Sequence, residues 1–220
     1  MSKIDVSYSV AEEWANSLSH AVGVILSIIG LVCLIVLTSK EDSAMSVTAV
    51  SIYGASLIVL FLASTLYHSV QKPSLKRKFK IFDHCAIYGL IAGTYTPFML
   101  VSLKGAWGYS ITAVIWSLAL IGIVFKLFFT EKFPKLSLFT YLLMGWLIII
   151  ASAELIAKVP TGGLVLLAIG GVVYSLGTIF YQMEKIPFNH AIWHFFVLAG
   201  ALCHFFSVFY YVIPQHLAVV

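Results

Sequence analysis

The sequence predicts an all-α fold, an integral membrane bundle of seven transmembrane helices with the N-terminus in the cytoplasm and the C-terminus outside. Three observations carry that prediction. Hydrophobic residues make up 61% of the chain and charged residues 10%, with mean hydropathy +1.01, whereas a soluble domain carries about 25% charge. The apolar residues gather into seven runs, each near the roughly 20 residues that a helix needs to cross the hydrocarbon core. Lysine and arginine are sorted unequally between alternating connections. With 220 residues in all, one integral domain is expected, with no separate soluble module and no nucleic-acid partner.

Taken in order, residues 1–19 read as an amphipathic cytoplasmic segment lying at the interface. The spans follow at about 20–38, 46–68, 82–103, 108–129, 136–155, 163–183 and 190–212, and residues 213–220 form a short external tail. Turn and charge signals separate them: Lys40-Glu41-Asp42, Lys72 to Lys80, Lys104-Gly105, Glu131 to Lys135, Lys158 to Gly162 and Glu184 to Pro187. No cleavable signal peptide is expected, because Glu12 and Glu13 precede the first apolar run where a basic region should stand. In the third span, Gly89 and Gly93 suit close helix packing, and Pro97 removes a backbone donor and favours a kink. Glu154 and Lys158 stand at i,i+4 and suit an interfacial ion pair. Cys33, Cys85 and Cys203 sit in apolar runs and read as reduced thiols, with Cys203 beside His204 a secondary candidate for a soft metal ligand.

Orientation follows from the cations. Lys3, Lys72, Lys76, Arg77, Lys78, Lys80, Lys126, Lys132, Lys135 and Lys185 fall on the side of the N-terminus, ten in all, and Lys40, Lys104 and Lys158 on the other, three in all. The positive-inside rule places the side with ten in the cytoplasm. The basic stretch over 72–80 reads as a topology determinant, with contact to anionic headgroups as a second use.

That topology brings scattered polar residues to one depth. His190 and His194 stand four apart on one helix face, the spacing with which a helix offers two nitrogens to one metal. His68 ends the second span with Ser64 one turn deeper, and Asp83 begins the third. Glu13, Asn16 and His20 flank the inner end of the first. Three imidazoles (His68, His190, His194) supply three ligands to a tetrahedral zinc and leave a fourth place for water, whose pKa falls toward about 7. Asp83 is then placed to orient that water as general base or acid, and Ser64 to donate to a developing oxyanion. Iron, copper and nickel accept the same donors.

Each residue also has a plainer reading. His68 at a helix end suits an interfacial residue, Asp83 a counter-charge to the basic stretch, Ser64 a small packing residue, and the His190–His194 pair buried polar packing. Glu13 to His20 suits an anchor for the first span, with Glu13, Asn16 and His20 as partners of the ligands at most. His204, ten residues beyond His194 and so about 15 Å along the helix, reads as a polar contact in the bundle interior. His84 and His216 are assigned no role.

The set Glu13-x-x-Asn16-x-x-x-His20, Ser64-Thr65-Leu66-Tyr67-His68, Asp83, Gly93-Thr94-Tyr95-Thr96-Pro97 and His190-x-x-x-His194 resembles the hemolysin III proteins, the bacterial branch of the progestin and adipoQ receptor family. That family is similar in turn to the alkaline ceramidases in its Ser-x-x-x-His, Asp and His-x-x-x-His pattern. The resemblance covers nearly the whole chain. It implies a seven-span bundle in a bacterial plasma membrane, with zinc held by His68, His190 and His194, Asp83 contacting the zinc-bound water, and Ser64 nearby. The chain lacks the long N-terminal region of the animal receptors, so their hormone signalling is not carried over.

The function expected from these residues is zinc-dependent hydrolysis of a lipid amide or ester, with membrane lipids as partners and the substrate arriving laterally from the bilayer. A non-enzymatic lipid-sensing or homeostasis protein with structural zinc is the alternative, distinguished by a fourth protein ligand. A cytolytic pore, suggested by the family name alone, is the third reading, and uniformly apolar spans count against it.

Overall fold

The computed structural model describes residues 8–40, 43–129 and 132–214. Residues 1–7, Glu41, Asp42, Glu131, His216 and most of the expected external tail lie outside the described residues. The described residues form helices joined by short turns: α1 Val10–Thr38, α2 Ala44–Ser69, α3 Pro73–Pro97, α4 Gly105–Phe129, α5 Pro134–Trp146, α6 Ser152–Lys158, α7 Thr161–Gln182 and α8 Asn189–Ser207. A short 3₁₀ stretch, Leu147–Ala151, joins α5 to α6, so the two form one span, and among the described residues seven helices are long and apolar enough to cross a membrane. The protein is an all-α, seven-span integral membrane bundle.

Two helix starts lie outside the hydropathy boundaries. α1 begins at Val10, well before the apolar run, because Ser9 and Glu12 form a reciprocal capping box: Ser9 N–H donates to Glu12 Oε2 (2.8 Å) and Glu12 N–H to Ser9 Oγ (3.2 Å). The second half of the stretch expected at the interface is therefore helical and continuous with the span, and these first turns of α1 bury Glu13, Asn16, Ser17 and Ser19, with His20 next in line. Similarly, the basic stretch over 72–80 is not a loop. Pro73 stands in the first turn of α3, where its missing N–H costs nothing, and the cations ride on that helix.

α3 is the central column. Of its most apolar window 72% is buried, against 17–44% in the other spans. α2 and α4 pack on it, α1 on α2, α7 on α8, and α8 against α1 to close the ring. Gly93 gives the close approach to α2, since a Cβ there would overlap Ser56. Gly89, expected to share that role, faces no neighbour within 4 Å among the described residues. At Pro97 the regular helix gives way to a π turn over Phe98–Leu103. Lys104 and Gly105, both at positive φ (47° and 63°), then turn the chain into α4.

Large apolar side chains point away from the bundle, among them Ile25, Ile29, Leu120, Phe128, Ile150 and Ile156. Such a surface is stable against hydrocarbon and not against water. The ion pair expected at the end of the fifth span is present, Lys158 Nζ standing 3.1 Å from Glu154 Oε2. Cys33, Cys85 and Cys203 are free thiols.

Candidate metal centre

The start of α1, the end of α2, the start of α3 and the start of α8 meet at one end of the bundle. His68 is in the last turn of α2 and His190 in the first turn of α8. Phe188, at φ 57°, turns the chain into α8, and its N–H donates to Glu12 Oε1 (3.0 Å). The cap of α1 thus also holds the connection that delivers His190 and His194.

His68, His190 and His194 are buried, and one ligand atom from each lies within 4.8 Å of the others. Two imidazole nitrogens on one ion, each with a bond of about 2.0–2.1 Å, stand at most about 4.2 Å apart, so a small inward shift of the rings brings the three onto one ion. The three can hold a metal ion.

Neighbouring groups set the direction in which two of the rings present their lone pairs. His68 Nδ1 stands 2.7 Å from Glu13 Oε2, so it carries the proton, and the lone pair falls on Nε2. His68 Nε2 is buried without a hydrogen-bond partner among the described residues. Asn16 Nδ2 is 3.4 Å from the same Nδ1, a longer contact that the carboxylate outcompetes. His194 Nδ1 donates to the Asn16 carbonyl (3.0 Å), with Ser19 Oγ at 3.1 Å, which leaves Nε2 for a ligand. A ring N–H held by carboxylate or carbonyl is the usual support of a metal-bound histidine. His190 Nδ1 is also buried without a partner. Unpaired buried nitrogens are costly, and a bound cation would satisfy them. The residues fit a zinc-type ion.

Glu13 has a second partner, Lys76 Nζ at 2.8 Å from Oε1. Lys76 also donates to the carbonyls of Tyr67 and Val70 (3.3 and 3.4 Å), which ties the start of α3 to the end of α2. His20 stacks on His194, with centroids 3.5 Å apart and planes at 10°, and turns its edge to Phe61. Both His20 nitrogens are buried without a partner among the described residues. Tyr8 covers the group, its ring 5.1 Å from that of His190 and 6.1 Å from that of His68.

Ser64 lies one turn before His68, buried, with an unpartnered Oγ. The Asp83 carboxylate is not part of the close group. It is half-buried on α3. On α7, the Tyr181 ring lies 5.8 Å from that of His190. His204 lies apart from the group, its Nε2 bonded to the Leu167 carbonyl (3.1 Å) and its ring 5.5 Å from Tyr174. Ser19, Lys76 and Tyr8 were not singled out from sequence as site residues. The i,i+3 spacing of Asn16 and Ser19, beside His20, was the available signal for Ser19.

Comparison with known proteins shows the family. The profile of the haemolysin-III related family matches residues 8–205. The chain belongs to that family. It is 50% identical over 205 residues to hemolysin-3 of Bacillus cereus, covering 93% of this chain and 94% of that one. It is 50% identical over 204 residues to the hemolysin-3 homolog of Bacillus subtilis (strain 168), with coverage of 93% and 96%. Human monocyte to macrophage differentiation factor is 34% identical over 207 residues, 91% of this chain and 84% of that protein. This relative supports the link from haemolysin III proteins to the progestin and adipoQ receptor family.

Proposed function

We propose that this haemolysin III protein is a zinc-dependent membrane hydrolase of a lipid amide or ester, with its metal centre in the cytoplasmic half of the bilayer. The observation that carries this reading is the ligand set: three buried histidines, two with Nδ1–H pinned by groups of α1, and no fourth member in the group among the described residues. Structural zinc sites are closed by four protein ligands, whereas hydrolytic sites have three.

His68, His190 and His194 would hold the ion. When bound, zinc lowers the pKa of a coordinated water toward about 7 and polarises a carbonyl. The protein supplies the rest. Glu13 and the Asn16 carbonyl keep two imidazoles in the tautomer that offers Nε2. Asp83 moves a proton between water and the leaving group, and Ser64 Oγ donates to the negative oxygen that develops on the attacked carbonyl. Burial of the centre excludes bulk water.

The test is elemental analysis of detergent-purified protein beside cleavage assays on ceramides and other acyl lipids. Wild type is expected to hold about one zinc per chain, with His190→Ala and His194→Ala each emptied. Asp83→Ala is expected to keep its metal and to lose turnover by about a hundredfold or more. Wild-type protein without metal after zinc is supplied overturns the reading. So does metal loss in Asp83→Ala for the role given to Asp83.

A further inference from the structure

His68, His190 and His194 are 1%, 9% and 2% exposed, so an ion reaches them only when a covering group moves. Most of the covers belong to helices. Glu13, Asn16 and Ser19 of α1 hold the Nδ1 sides of His68 and His194. Deeper in the bundle, His20 stacks on His194 with Phe61 of α2 against its edge. Tyr181 of α7 flanks His190. Each of these has helix on both sides of it in the chain. It can withdraw only by turning into packed neighbours or by unwinding a helical turn, and both are costly.

Tyr8 differs from the rest. It precedes Ser9, the N-cap, whose backbone is extended (φ −61°, ψ 160°), so Tyr8 stands outside α1. Its ring nevertheless lies over two of the candidate ligands, 5.1 Å from His190 and 6.1 Å from His68. His190, the ring nearest to it, is also the most exposed of the three. The chain behind Tyr8 is fastened at Ser9 by the capping box, and Glu12 of that box holds the Phe188 N–H as well. Tyr8 can therefore swing away by rotation about its own bonds while the cap, α1 and the start of α8 stay in place. Moving covers are drawn from such positions, where few bonds must break.

We propose that the Tyr8 ring is the gate through which the metal ion enters and leaves the centre, which rests on the reading of the three histidines as zinc ligands and not on hydrolysis. In place, the ring shuts water and chelators out from His190 and His68. Swung aside, it opens His190 first. The ring packs over the ligands in the empty and the loaded centre alike, so it sets the rate of exchange and leaves the equilibrium unchanged.

The test measures both directions of zinc exchange in full-length, detergent-purified protein: release to a chromogenic chelator, and uptake by the emptied protein from a fluorescent zinc indicator. In Tyr8→Ala both rates are expected to rise by about tenfold or more, as loss of a packed aromatic cover implies. Their ratio, the dissociation constant, should stay within about threefold of wild type. Tyr8→Phe keeps the ring and should exchange at close to the wild-type rates. Unchanged rates in Tyr8→Ala overturn the gate and place the entrance elsewhere. A weaker dissociation constant with uptake unchanged also overturns it, because Tyr8 would then support the bound ion. So does a Tyr8→Phe variant as fast as Tyr8→Ala. Wild-type protein that takes up no zinc overturns the metal centre itself and the gate with it, whereas zinc bound with unaltered rates in Tyr8→Ala leaves the centre standing and removes only the gate.

Discussion

Glu13 is a carboxylate within a membrane-spanning helix, and its position is intelligible only through its partners. One oxygen meets His68 at 2.7 Å and the other Lys76 at 2.8 Å. A buried carboxylate is costly unless paired and hydrogen-bonded, and here the two partners share the charge. The pairing fixes the proton of His68 on Nδ1, which is what a ligand offering Nε2 requires. Glu13→Ala is therefore expected to weaken zinc binding by about 10–100-fold, read by competition with a chromogenic chelator. Glu13→Gln, whose amide oxygen can still accept from Nδ1–H, should lose less. Equal losses in the two variants would mean that Glu13 acts by filling space rather than by holding the ring. The three histidines were legible from sequence, because i,i+4 spacing and the alternation of spans place them at one depth. Ser19 and the role of Lys76 were not, because they depend on how α1 is rotated about its axis and on where α3 begins.

At the level of the elements, hydropathy marks where lipid begins and not where a helix begins. α1 extends ten residues before the expected start, at Val10, for a reason that is written in the sequence as the Ser9–Glu12 box. α3 likewise starts at Pro73, among cations that read as a loop. The pairing of helices was less accessible. Gly89 and Gly93 stand one turn apart with the same residue type, yet only Gly93 faces α2, where a Cβ would overlap Ser56. Ser56 Oγ is committed to the Tyr53 carbonyl at 2.7 Å, so an added methyl must break that bond or part the helices. Gly93→Ala is expected to destabilise by about 1–3 kcal/mol, and Gly89→Ala to be neutral or to stabilise by roughly 0.5–1 kcal/mol through helix propensity. Thermal midpoints of the two variants in one detergent measure the difference. Similar midpoints would show that α2 and α3 are not packed as closely as Gly93 implies.

For the whole molecule, the open relation is that between bundle and membrane. The end that carries the candidate metal centre also carries Lys72, Lys76, Arg77, Lys78, Lys80, Lys126, Lys132, Lys135 and Lys185, and the opposite end carries Lys40, Lys104 and Lys158. Lysine and arginine in short connections are retained on the cytoplasmic side, so the asymmetry predicts a cytoplasmic position for this end of the bundle, an expectation that labelling tests. In a background with Cys33, Cys85 and Cys203 replaced, single cysteines at the exposed positions Lys40, Lys72 and Lys185 report the orientation. With a membrane-impermeant maleimide, Lys40→Cys is expected to label in intact cells, and Lys72→Cys and Lys185→Cys only after permeabilisation. The inverse pattern would place the histidines in the outer half of the bilayer. The protein would then meet lipids of the external leaflet and draw its metal from outside the cell. Orientation thus decides which leaflet's lipids lie at the depth of the His68–His190–His194 group, because that group sits at one end of the bundle only.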